Sequence, residues 1–160
     1  MGALNLIHVG IADMKISRGE DILRTILGSC IAICLYDQRL KMGGLAHIML
    51  PLANVANALP EKYADTALPL LVKKMEDAGS DIKRMKAKIA GGAKMFDLVN
   101  DSMISSIGMN NAAKVEQLLF EIGIELLGKD VGGNYSRIIN FYLSNGEVRI
   151  KAAGMPDIAL

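Results

Sequence analysis

LGSCIAICLYDQRLKMGGLAHIMLP, Leu27 to Pro51, decides how this chain folds. Two apolar runs of strand length, Ile31 to Tyr36 and Gly43 to Leu50, flank the polar DQRLKM, and Pro51 ends the second. Two such runs around a short polar break make a β-hairpin. If it closes with Tyr36 opposite Gly43, Cys30 lies opposite Met49, and His47 sits two residues along on the same face as Cys30. That diagonal is within reach of long side chains. A slip of one residue would put the thiol and the imidazole on opposite faces.

Only His8 and His47 are present, so cysteine and histidine chemistry has few candidate members. A free thiol is only about a few per cent thiolate at neutral pH, and an adjacent imidazole raises the reactive fraction. The Gly28-Ser29 turn ahead of Cys30 could aim backbone N–H groups at a developing oxyanion. These are the parts of a cysteine acyl-transfer site. The plain alternative is that Cys30 is a small core residue on an apolar strand and His47, between Ala46 and Ile48, a satisfied core histidine. Spacing alone favours that alternative. Cys34, mid-strand between Ile33 and Leu35, reads as core. Cys30, Cys34 and His47 supply three candidate zinc ligands with no fourth downstream, so no metal site is expected. The Ile89-Ala90-Gly91-Gly92 stretch lacks the spacing and Lys-Ser/Thr ending of a P-loop and reads as a tight turn.

Outward from the hairpin, Leu4 to Val9 and Ala12 to Ile16 read as short strands joined at Gly10, with a turn at Arg18, Gly19 and Glu20. Ala67, Leu68, Leu71, Val72 and Met75 recur at helical spacing within Tyr63 to Ala78, with Gly79 as cap. Pro69 inside that pattern implies either a kink or a helix that starts there. Met85 to Ala90 reads as a strand leading into the glycine loop GGAKMF, and Asn110 to Ile122 as a second helix. Strands follow at Ile124 to Lys129, Arg137 to Leu143 and Glu147 to Ala152, the last two joined through Ser144-Asn145-Gly146, a strong hairpin signal. About nine elements, mostly strands with two helices, make an α+β domain.

With 160 residues, 51% hydrophobic and 22% charged, the chain is long enough for one domain, 1–160, with its own core. Aromatics are 4% and Trp is absent, so packing rests on Leu, Ile, Val, Ala and ten Met. A net charge of +1 lacks the basic excess that neutralises phosphates, which argues against nucleic acid as a partner. Lys73, Lys74, Lys83, Arg84, Lys86 and Lys88 read as a solvated face, with the docking of an acidic partner as the alternative. No secretory signal and no run of membrane-spanning length is seen, so a cytoplasmic protein with reduced cysteines, not inserted in a membrane, is expected.

LGSCIAICLYD followed by GGLAHIMLP resembles the CheD family of chemoreceptor glutamine deamidases. The resemblance extends through VGIADMKIS, YADTALPLL, KIAGGAKMF, SIGMNN and DVGGNYSRIINFYLSNGEVRIK, in order along nearly the whole chain. It implies a sandwich of β-sheets with flanking helices, similar to the catalytic domain of cytotoxic necrotising factor toxins. It also implies hydrolysis of glutamine side-chain amides in the cytoplasmic domains of methyl-accepting chemotaxis receptors. By the same resemblance Cys30 is the nucleophile, His47 the general base and acid, and the reaction runs through a thioester with no cofactor. Many members carry a third catalytic residue, a Thr six positions before the Cys. Here Arg24 holds that position and Thr25 lies five before, so Thr25 is carried as the orienting residue. Met109 and Asn110 stand where the family more often has Glu and Arg. The resemblance further implies a complex with a CheC-type phosphatase, a role that a binding module with little catalysis could also fill.

Overall fold

The computed structural model describes residues 4–95 and 102–160, with the side chains of 102–106 left aside; Phe96, at the end of the glycine loop, lies outside the described residues. The elements are β1 (Leu6–His8), β2 (Asp13–Arg18), β3 (Ile22–Leu27), β4 (Ile31–Asp37), β5 (Met42–Ile48), α1 (Ala64–Asp77), β6 (Met85–Gly91), α2 (Ser102–Ile122), β7 (Glu125–Val131), β8 (Arg137–Tyr142), β9 (Val148–Lys151) and β10 (Ile158–Ala159). They form two five-stranded sheets, β1-β3-β8-β9-β10 and β2-β5-β4-β6-β7. The expected α+β sandwich with flanking helices is the observed architecture.

β4 shows why the layers stack as they do. Its apolar run divides by parity: Ile31, Ile33 and Leu35 pack into a core shared with α1 and α2, while Ala32 and Cys34 pack into a second core against β3, β8 and β9. A strand covered on both faces must be apolar throughout, which is the continuous pattern its sequence carries. The partner strand β5 allows both coverings through Gly43 and Gly44. A Cβ on Gly43 would come within 2.4 Å of Leu143, and one on Gly44 within 2.6 Å of Leu71. The order of layers is therefore helices, sheet, sheet.

The hairpin closes in the expected register, with Tyr36 opposite Gly43 and Ile31 opposite Ile48. The β8–β9 hairpin turns at Asn145-Gly146, where Gly146 adopts φ 79° and the Asn145 side chain accepts from the Glu147 N–H at 2.9 Å. Ile22–Leu27, left unassigned from the sequence, is a strand that pairs with β1 and β8. α2 is longer than expected and begins eight residues before Asn110. α1 fills the expected Tyr63 to Ala78 range, with Pro69 inside it rather than at its start. The basic residues are largely partnered: Lys73 with Asp77, Arg84 with Asp37, and Lys86 with Glu125.

Candidate active site

Cys30 closes the bend that joins β3 in one sheet to β4 in the other, so its side chain stands at the mouth of the space between the sheets. It is half-buried, whereas Cys34 is fully buried two rungs further in. Burial pushes the Cys34 thiol up to about 12, with a smaller lowering from Lys88, which leaves it unreactive. The bend itself is held by its carbonyls. Gly28 O accepts from the Ala93 N–H at 3.0 Å, Cys30 O from the Gly92 N–H at 2.9 Å, and Ser29 O from Asn111 Nδ2 at 3.3 Å. In a trans peptide the N–H points opposite to the carbonyl. The N–H groups of Ser29 and Cys30 are therefore turned away from Ala93 and Asn111.

His47 lies on β5, opposite Ala32 of β4 and Asp13 of β2. Continued one rung past Ile31, the ladder sets Cys30 against Met49, which puts Cys30 and His47 on the face toward β3. The imidazole is 2% exposed. Thr25, on β3 of the other sheet, places Oγ1 2.7 Å from His47 Nδ1 and donates its own proton to Val9 O at 2.8 Å. With that hydroxyl proton committed to Val9, Oγ1 accepts from Nδ1–H, and the tautomer follows: Nε2 carries the lone pair. Nε2 is buried and has no hydrogen-bond partner among the described residues.

Successive residues of a strand face opposite sides, so only one of Arg24 and Thr25 can reach the imidazole. The buried Thr25 is the one that does. A groove lined by Val9, Gly10, Ile11, Ile26, Thr25 and His47 opens beside the ring. Its lips, Ile11 and Ile26, are 63% and 61% exposed.

Burial lowers the His47 pKa to about 4 and raises that of the Cys30 thiol above its ordinary value of 9.0. Both directions favour a neutral thiol and a neutral imidazole, rather than the enlarged resting thiolate fraction expected from the sequence, and no hydrogen bond joins the two among the described residues. The physical reason is desolvation: the orienting group is a hydroxyl, which fixes the ring without supplying negative charge to stabilise an imidazolium.

Two buried polar residues of the site were not assigned by sequence reasoning. Arg137 is 1% exposed, bonds Asp130 through Nε at 2.9 Å and reaches Gly91 O at 3.3 Å, bracing the strand end behind Cys30. Asn111 is 0% exposed on α2. It stands four residues before Val115 and eight before Leu119, an amide inside an apolar helical stripe, and that interruption was its available signal.

Comparison with known proteins finds relatives along most of the chain. The family described as "CheD chemotactic sensory transduction" matches residues 49–152. A protein of Clostridium acetobutylicum named probable chemoreceptor glutamine deamidase CheD is 46% identical over 154 residues, covering 93% of this chain and 92% of its own length. Proteins of the same name from Clostridium novyi and Clostridium kluyveri are each 47% identical over 154 residues, covering 93% of this chain and 94% of theirs.

Proposed function

Because the chain belongs to the CheD family, we propose that it hydrolyses the side-chain amide of glutamines in chemoreceptors, leaving glutamate, with Cys30 as nucleophile and His47 as base and acid. The observation that carries the site assignment is the Thr25–His47 hydrogen bond, which leaves a buried, unprotonated Nε2 on the Cys30 face. Nε2 takes the Sγ proton as Sγ attacks the amide carbon, and the carbonyl oxygen becomes an oxyanion. The Ser29 and Cys30 N–H groups are the candidate donors to it. Collapse breaks the C–N bond while Nε2–H protonates the leaving nitrogen, so ammonia departs and a thioester remains. Water, deprotonated by Nε2, attacks that thioester, and collapse returns the proton to Sγ and releases the glutamate side chain. No cofactor enters the sequence of steps.

Residues 1–160 act in this reading as one deamidase domain, working in the cytoplasm on the cytoplasmic part of the receptor. Complex formation with a CheC-type phosphatase is a further expectation of family membership. The direct test is incubation with a receptor cytoplasmic fragment and measurement of released ammonia. Ammonia release that is lost in Cys30→Ala supports the reading. Binding without ammonia release would instead favour a binding module.

A further inference from the structure

We infer that Asn111 is a positioning residue for the deamidation: from α2 it ties the backbone before Cys30 to the backbone after His47 and so sets the spacing of thiol and imidazole. This rests on the reading of Cys30 and His47 as the working pair. Asn111 Nδ2 donates to Ser29 O at 3.3 Å and to Met49 O at 2.8 Å. Ser29 immediately precedes Cys30, and Met49 follows His47 by two. The β4–β5 ladder ends at Ile31 and Ile48, so beyond its last rung one amide spans the two chain ends that carry the pair.

The orientation of the amide is fixed by chemistry, since an oxygen turned toward two carbonyls would be repelled by both. Its place is fixed by glycine. A Cβ on Gly108, one turn earlier on the same helix face, would lie 2.3 Å from Gly92 O, and Gly92 N–H in turn holds Cys30 O at 2.9 Å. Helix, glycine loop and bend are thus stacked backbone on backbone. Asn111 Oδ1 is buried with no partner among the described residues. A leucine would fill the same space without that unpaired acceptor, so packing alone does not explain an amide here. What the amide adds is two donors at the junction.

The test compares wild type with Asn111→Leu, which keeps the volume and removes the donors, and Asn111→Asp, whose carboxylate opposes both carbonyls until protonation restores one donor. In folded variants the deamidation kcat on a receptor fragment is expected to fall tenfold or more with KM within twofold. Asn111→Asp regains activity between pH 8 and 5.5, a trend absent from wild type and Asn111→Leu. Alkylation of Cys30 by iodoacetamide, which needs no receptor, slows threefold or more in Asn111→Leu. Deamidation within twofold of wild type in either variant overturns the assignment, as do unchanged alkylation or an Asp variant without the pH recovery. If Asn111→Leu does not fold, the Asp variant decides alone. A wild type that leaves receptor glutamines intact would fail the deamidase reading separately, because the alkylation comparison remains.

Discussion

Thr25 is a neutral residue in a place where many cysteine and serine hydrolases use a carboxylate or an amide. It fixes the tautomer of His47 without raising its basicity. Thr25→Val removes the acceptor and leaves a buried Nδ1–H unpaired. The expected result is a kcat lower by roughly 10- to 100-fold, part of the 10²–10⁴ that general acid–base catalysis supplies, and a stability loss of about 1–3 kcal/mol. Thr25→Ser keeps the oxygen and retains most activity, as steady-state kinetics on the pair would show. The two cysteines separate as sharply. Iodoacetamide labels Cys30 and spares Cys34 in the folded protein, read by peptide mass. Since burial raises the Cys30 pKa, its alkylation rate climbs with pH through neutrality into the alkaline range; a plateau below pH 7 would instead indicate a preformed thiolate–imidazolium pair. That Cys30 and His47 share a face was legible in the sequence because the hairpin that carries them is local. That Thr25 meets His47 was expected only by resemblance, since it comes from the other sheet.

At the level of elements, the bend before β4 depends on how closely β6 approaches it. Gly91 adopts φ 113°, and a Cβ there would lie 2.2 Å from Cys30 O. Gly91→Ala is expected to cost about 1–3 kcal/mol or more from backbone strain and overlap and to reduce activity beyond that loss, by urea midpoint and kinetics together. Gly128→Ala on β7, where the added carbon meets Leu160 at an ordinary 3.5 Å, serves as the matched control and leaves both near wild type. The same elements show what sequence could reveal. β4, β5 and the β8–β9 hairpin announce themselves through apolar runs and turn residues. β3 does not, because Arg24-Thr25 interrupts its apolar residues, Ile26 faces solvent, and its partner β8 lies more than a hundred residues away. The opening of α2, Ser102-Met103-Ile104-Ser105-Ser106, shows no helical stripe, and β10 is two residues long.

For the whole molecule, the proposed site is a seam: the imidazole comes from one sheet, the thiol from the bend that joins the two, the Thr25 hydroxyl from the other sheet, and α2 closes the junction. Keeping His47 neutral in that seam links stability to pH. Its folded pKa of about 4 lies below the ordinary 6.5, so between those values the unfolded chain binds a proton that the folded chain refuses. Stability is full above pH 6.5 and falls as the pH drops toward 4, by up to about 3 kcal/mol from this one group. Chemical denaturation of wild type and His47→Asn across that window should show the slope reduced in the variant. Deamidation of receptor glutamines by Cys30 is read most plainly by mass spectrometry of a chemoreceptor cytoplasmic fragment after incubation with the protein, with Cys30→Ala alongside. Conversion of specific glutamines to glutamate by wild type alone is the expected result. Conversion that persists undiminished in Cys30→Ala, or a receptor left unchanged by the wild type, would contradict it.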